Sequence, residues 1–354
     1  MAASTRSSNG DGNQAAWPPY MARFERLEKL GEGINGEVFK AWDTHVGRIV
    51  AVKRLSAAGG DGFIASGLPE VLRECRSLKT CEGIPSIVKL REKVVPAVQS
   101  AGDPFIVMEY AGRINLRSYM QLRARRHRRF SEAEVRRIMK RLLDGVKSVH
   151  GKGIMHLDIK PENVILDDDT EDMTERPKEG AIQDRELKKD SIVYKIGGFG
   201  MSRKKERGPT QAEVVILTPY SAPELLLRSR EYDEGVDMWG LGCIMTELLS
   251  GTGKPTFSGE SDKEIMAKVS GLVGVQGIKD WPGIAEEWKS KLTGHGNISR
   301  LRRRFPWRKL SSAGFEVLSG LLESNPAKRL SAEEALQKPW FQERPRRGFG
   351  GCFR

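Results

Sequence analysis

The stretch 156-HLDIKPENVIL-166 places Asp158, Lys160 and Asn163 within six positions. A carboxylate of this kind can accept a hydroxyl proton, an ammonium can neutralise a phosphate in transfer, and an amide oxygen can ligate a metal ion. Upstream, 31-GEGINGEV-38 spaces Gly31, Gly33 and Gly36 so that backbone amides can approach a phosphate closely. Next, 50-VAVKR-54 puts Lys53 in an alternating run, where it shares a face with Ala51 while Val50 and Val52 point away. A lysine among apolar neighbours must reach an anion or water. Glu70 and Glu74, four apart in 68-LPEVLRECRSLK-79, share one helix face and either could pair with it. Glu74 is favoured, because Leu72, Cys75 and Leu78 around it form the apolar side. A further stretch, 195-KIGGFGMSR-203, ends a strand-like run in glycines and holds no side chain able to bind a metal or move a proton.

The elements that must position these residues are legible in outline. The glycines of 31–36 are followed by the strand-like runs VFKAW and RIVAVKRL, not by the helix that a dinucleotide-binding turn requires, so they predict a hairpin. From Phe24 to Tyr110 the chain is mainly strand-like, with SIVKL and PFIVMEY as further runs and one helix over 68–80. After Gly112 helices take over. In 131-SEAEVRRIMKRLLDGVKSVH-150 the residues Val135, Ile138, Met139, Leu142, Leu143, Val146 and Val149 recur on one helix face. Ser131 with Glu134 predicts a capping box at its start, and Ser261 with Glu264 and Ser331 with Glu334 repeat the signal. The fold class is therefore α+β and bilobal: a small β-rich lobe over 24–108, a connection at 109–113 and a larger helical lobe over 114–341. Residues 1–22 read as a disordered tail and 342–354 as a flexible one. The charged run 167–190 reads as an inserted surface loop.

At 354 residues, with 38% hydrophobic and 30% charged positions, the composition is that of a soluble globular protein. No apolar run approaches the roughly 20 residues of a membrane helix, so no membrane partner is expected. The N-terminus lacks the apolar segment of a secretory signal. Four scattered cysteines form neither a disulfide framework nor a metal-ligand pattern, which favours a reducing interior, cytoplasmic or nuclear. The net charge of +12 and the run 123-RARRHRR-129 raise the question of a polyanion, but interleaved aromatics for base stacking are missing, so nucleic acid is not the expected partner.

The ordered set GEGINGEV, VAVKR, HLDIKPEN, 222-APE-224, 237-DMWGLG-242 and Arg329 in NPAKRL resembles the eukaryotic protein kinases over about residues 24–341. GLPEVLRE, VDMWGLGCIMTELL and 280-DWPG-283 make it most similar to the cyclin-dependent kinases. The resemblance implies the bilobal protein-kinase fold, ATP and Mg²⁺ as cofactors, and a protein substrate with Ser or Thr. It assigns Gly31, Gly33 and Gly36 to the nucleotide phosphates, Val38 and Ala51 to the adenine faces, Met108 to the back of that pocket, and Glu109 to the hinge 109-EYAG-112. Lys53, oriented by Glu74, would hold the α- and β-phosphates. Asp158 would orient the substrate hydroxyl, Lys160 would touch the γ-phosphate, and Asn163 would bind one Mg²⁺. Glu224 and Arg329 would form a structural ion pair. A cyclin-like partner is implied as well, although GLPEVLRE keeps only part of the contacting pattern.

Three departures qualify the resemblance. Gly198 stands where the family has the Asp of its Asp-Phe-Gly motif, the main ligand of the bridging Mg²⁺. Losing that carboxylate should weaken the metal site and slow transfer by about 10²–10⁴. Leu157 replaces an Arg that normally receives activation-loop phosphate, so a phosphate on Thr210 would lack its usual partner. Leu217 stands where the family has a Thr that contacts the catalytic Asp and Lys, with Thr218 one position late; a one-residue slip of the loop could restore that contact. The chain thus reads as a Ser/Thr kinase with impaired or atypical metal use, or alternatively as a pseudokinase scaffold.

Overall fold

The computed structural model describes residues 17–33, 36–55, 68–94, 103–167, 174, 192–205, 217–229, 231–282, 284, 292 and 298–342. Most of the charged run 167–190, Thr210, Cys352 and both terminal tails beyond these bounds lie outside the described residues.

Alternating residues build an antiparallel sheet from β1 (Phe24–Gly33), β2 (Gly36–Asp43), β3 (Arg48–Arg54), β4 (Leu90–Val94) and β5 (Phe105–Glu109), in the order β1-β2-β3-β5-β4. The period of two sorts β3 as its sequence requires. Val50 and Val52 pack with Phe24, Phe105 and Val107 on the outer face, while Ala51 and Met108, paired across strands, join the main core on the inner face. Helix α1 (Leu68–Thr80) packs against that inner face through Val71, Cys75 and Leu78. Leu72 is only half-buried; Val71 takes the core position instead.

Beyond Glu109 come the short β6 (Ile114–Asn115) and α2 (Leu116–Arg125), then α3 (Glu132–Gly151) with the Ser131–Glu134 capping box formed. The strands β7 (Ile154–Met155), β8 (Val164–Asp167), β9 (Val193–Ile196) and β10 (Arg203–Lys204) make two small sheets, β6-β8-β9 and β10-β7. After α4 (Pro223–Leu226), helix α5 (Gly235–Ser250) is buried from Val236 to Leu249, so the helical lobe is built around it. A helix apolar on nearly every side has no other place, and Asp237 and Glu247 are buried with it.

Two expectations are corrected. Residues 17–21 are ordered: Pro19–Met21 form a 3₁₀ turn, Met21 is fully buried, and Trp17 lies edge-on to Phe39 at 6.1 Å. Burying these large side chains on the outer face of the sheet outweighs the polar composition around them. The run SIVKL is not a strand throughout. Strand β4 begins at Leu90, while Ile87 forms an isolated bridge to Ile196 and Val88 donates to the Ile196 carbonyl at 3.0 Å. These apolar residues join the two lobes, which explains their hydrophobicity without a sheet ladder.

Candidate active site

Lys53 sits in mid-β3, opposite Val38 on β2 and Ile106 on β5. Its Nζ donates to Glu74 Oε2 at 2.6 Å, and both residues are buried. This is the partner favoured from the sequence. The pair ties α1 to the sheet, because removing either member leaves the other as an uncompensated buried charge. A second tether follows one turn later: the Ser77 and Ser202 hydroxyls lie 2.7 Å apart, and Ser202 also reaches the Phe199 carbonyl at 2.6 Å.

The glycines lie at the turn end of the β1–β2 hairpin, with Gly31 opposite Val38 and Gly33 opposite Gly36. Gly36 has φ +113°, and a Cβ there would fall 2.0 Å from the Arg54 carbonyl oxygen, so a side chain is excluded. Gly31 and Gly33 face open space, as a ligand-covering loop requires. Val38, Ala51 and Met108 lie nearby on β2, β3 and β5. Glu109 ends β5, and its carboxylate accepts from Lys195 Nζ at 2.8 Å and from the Lys89 amide at 3.0 Å.

Across the cleft, the loop carrying Asp158 hangs from the first turn of α5. The Asp237 carboxylate accepts from the backbone amides of His156 (2.8 Å) and Leu157 (2.7 Å) and meets His150 Nε2 at 2.8 Å. Burial alone would raise the Asp237 carboxyl, but the His150 hydrogen bond and the neighbouring histidines hold it below its ordinary value. His156 Nε2 lies 2.9 Å from the Gly197 carbonyl, and its ring packs 4.5 Å from that of Phe199. Leu157 is held at φ +63°, a left-handed conformation costing about 1–2 kcal/mol for a side-chain-bearing residue.

The three residues singled out first do come together. Lys160 Nζ lies 2.8 Å from Asp158 Oδ2, and Asn163 Nδ2 donates to the same oxygen at 2.9 Å and to the Asp158 carbonyl at 2.8 Å. Pro161–Asn163 form a 3₁₀ turn that fixes their spacing. Asp158 also lines a cavity with Leu157, Thr218, Tyr220 and Leu225. Thr218 does not regain the expected contact: its hydroxyl accepts from the Tyr220 amide at 3.2 Å, and no hydrogen bond joins it to Asp158 or Lys160. Farther off, Arg329 grips Glu224 through two bonds of 2.7 and 2.9 Å, both side chains fully buried.

Gly198 has φ +77°, and a Cβ there would lie 2.5 Å from both Cγ and Oδ1 of Asn163. The Asn163 amide occupies the space that any side chain at 198 needs. A magnesium site uses one or two carboxylates together with substrate phosphates and water. The described residues of this loop offer an amide oxygen and one carboxylate that Lys160 and Asn163 already engage. No group of three or more His, Cys, Asp or Glu suited to a metal occurs among the described residues. Among the described residues, this side of the cleft therefore offers a divalent cation the Asn163 amide oxygen and the Asp158 carboxylate.

Some site residues were not singled out from the sequence. Asp237 carries no local signal of its role within DMWGLG. Arg117, Tyr220 and Glu247 were passed over, although a glutamate inside the apolar run GVDMWGLGCIMTELLS is itself a signal that a buried charge has a partner.

The protein kinase domain family model matches residues 24–341. A putative cyclin-dependent kinase F-2 from Oryza sativa subsp. japonica is 43% identical over 329 residues, covering 91% of each chain. Cyclin-dependent kinase G1 from Arabidopsis thaliana is 35% identical over 333 residues, 91% of this chain but 49% of its own length. Cyclin-dependent kinase B2-2 from the same plant is 30% identical over 330 residues, covering 92% and 95% of the two chains.

Proposed function

The chain belongs to the protein kinase family, among its cyclin-dependent-kinase-like members, and from that premise we propose that it binds ATP in the cleft between its lobes and transfers the γ-phosphate to Ser or Thr of a protein, with weakened use of Mg²⁺. The observation that carries this reading is the opposition of two intact grips, the buried Lys53–Glu74 pair on one side and the Asp158–Lys160–Asn163 cluster on the other.

In the proposed reaction Lys53 holds the α- and β-phosphates, with Gly31, Gly33 and Gly36 covering them. Val38, Ala51 and Met108 enclose the base, and the main chain at Glu109 meets its edge. Asp158 orients the substrate hydroxyl and receives its proton, while Lys160 neutralises the migrating phosphoryl group. Magnesium, when bound through Asn163, would supply further charge neutralisation to the phosphates. A cyclin-like partner belongs to the same reading through the partial GLPEVLRE pattern and the names of the relatives. The second reading, a pseudokinase that binds nucleotide without turnover, is favoured by Gly198 and by the Asn163 amide lying against it.

The deciding experiment is thermal stabilisation by ATP, with Mg²⁺ and with EDTA, alongside phosphotransfer to histone H1. The proposal expects stabilisation in both media and slow transfer that Asp158→Asn abolishes. Stabilisation without transfer leaves the second reading, and no stabilisation in either medium overturns both.

A further inference from the structure

Beneath the cavity beside Asp158 lies a buried cluster of charged groups that the proposed chemistry does not use. Arg117, at the start of α2, donates from Nε to Glu162 Oε1 at 2.9 Å. Its Nη1 donates to Glu247 Oε2 at 2.7 Å and to the Gly253 carbonyl at 3.2 Å, and its Nη2 donates to the Tyr220 hydroxyl. Tyr220 completes the ring by donating to Glu247 Oε1 at 2.7 Å. One guanidinium thus joins four separate pieces of chain: α2, the 3₁₀ turn between Lys160 and Asn163, the middle of the helical lobe, and the segment before Ala222-Pro223-Glu224. A planar, five-donor fork can do this where an ammonium cannot.

The position of Tyr220 gives the cluster its consequence. Tyr220 lines the same cavity as Asp158, and its amide is the donor to Thr218 Oγ1. Thr218 in turn is closed on Ser221, whose Oγ accepts from the Thr218 amide at 2.8 Å. Thr218 makes no hydrogen bond to Asp158 or Lys160, so its side chain does not tie the cavity wall to those residues. The wall is held from below.

We propose that Arg117 is a positioning residue for the protein substrate, which through Tyr220 fixes segment 217–222 as the wall of the cavity beside Asp158. The inference rests on the phosphotransfer reading. Glu162 couples the same guanidinium to the turn that carries Asn163, so wall and catalytic loop share one anchor. The ionisation of Glu247 sets the strength of that anchor. Burial pushes its carboxyl up to about 7 against the opposing pull of Arg117, with Glu162 adding to the rise. The titratable groups facing it are Arg117 from α2, Tyr220 from segment 217–222, Glu162 from the 3₁₀ turn and Cys243 one turn earlier on α5. Above that value the carboxylate accepts from both Arg117 and Tyr220 as a charged acceptor. Below it the proton weakens both bonds.

The test compares full-length wild type with Tyr220→Phe, Arg117→Lys and Glu247→Gln, reading KM for histone H1, KM for ATP and hydrogen exchange at 217–222. Tyr220→Phe is expected to raise the histone KM about fivefold with the ATP KM unchanged. Arg117→Lys should do more. In wild type the histone KM should rise as pH falls through about 7, and in Glu247→Gln it should be flat. A role confined to fold stability would move both KM values together or neither, and that result overturns the proposal. If wild type is stabilised by ATP yet leaves histone H1 unmodified, the phosphotransfer reading fails on its own. Exchange then decides the anchor: acceleration confined to 217–222 in Tyr220→Phe keeps it, and unchanged exchange removes it.

Discussion

The two sides of the cleft use similar side chains in opposite ways. On the sheet side, Lys53 and Glu74 sit on regular elements and meet at 2.6 Å, each charge satisfied by the other. On the helical side, Asp158, Lys160 and Asn163 sit on irregular backbone, and their hydrogen bonds close on one another with Gly198 as the adjoining gap. With a glycine at 198, this side is still closely hydrogen-bonded. The Asn163 amide fills the space beside Gly198, so the loop is self-contained. A strand and a helix can preserve a binding geometry that depends only on their packing, whereas a loop takes its geometry from whatever its side chains can reach.

The strongest way to break this comparison is Asp158→Asn. It should reduce phosphotransfer by about 10²–10⁴ while leaving ATP-induced stabilisation in place, read by initial rates and thermal shift. Equal loss of both would mean that the two sides do not act separately. Lys53→Met tests the other side. Glu74 would remain buried without a partner, so unfolding in urea should show a loss of about 3–5 kcal/mol, together with loss of ATP stabilisation.

Gly198→Asp addresses the gap itself. The new carboxylate must displace the Asn163 amide from Asp158, and Asp is among the residues that tolerate a left-handed backbone. A gain in transfer of at least about tenfold is expected with Mg²⁺ and none with EDTA. Gly198→Asn, which adds the same bulk without the charge, should give no gain. If Asp and Asn behave alike, bulk rather than ligation explains the effect.

Stability against pH sharpens the contrast further. The Glu247 carboxyl is raised from 4.5 to about 7 in the fold, so the folded state holds the extra proton between those values. Its contribution is therefore present at low pH and lost as pH rises through about 7, amounting to about 3 kcal/mol. The difference between wild type and Glu247→Gln in urea, across this range, isolates that share. The smallest effect belongs to Ser77→Ala, which removes the tether to Ser202 and should cost about 1 kcal/mol.

Much of this molecule could be read from its letters where period and capping agree. The stripe of α3 with its Ser131–Glu134 box, the two faces of β3 and the Lys53–Glu74 pair all follow from local spacing. Segments whose role is set by distant partners were not legible. SIVKL has the composition of a strand, yet Ile87 and Val88 spend it on bridging to Ile196. The polar surroundings of residues 17–21 hid aromatic groups that find the sheet only in three dimensions. At the site, the glycine at 198 is readable, but the Asn163 amide lying 2.5 Å from its Cβ position is encoded by no spacing. Arg117 was hidden for the same reason, since its partners lie 45, 103 and 130 positions away.

The packing of Trp17, Tyr20 and Met21 bears on how the protein should be handled at the bench. They pack against the Phe39 and Phe105 rings on the outer face of the sheet. A shortened chain starting at Phe24, where the family match begins, would uncover that greasy surface and invite clumping during purification. Expression should start upstream of Trp17.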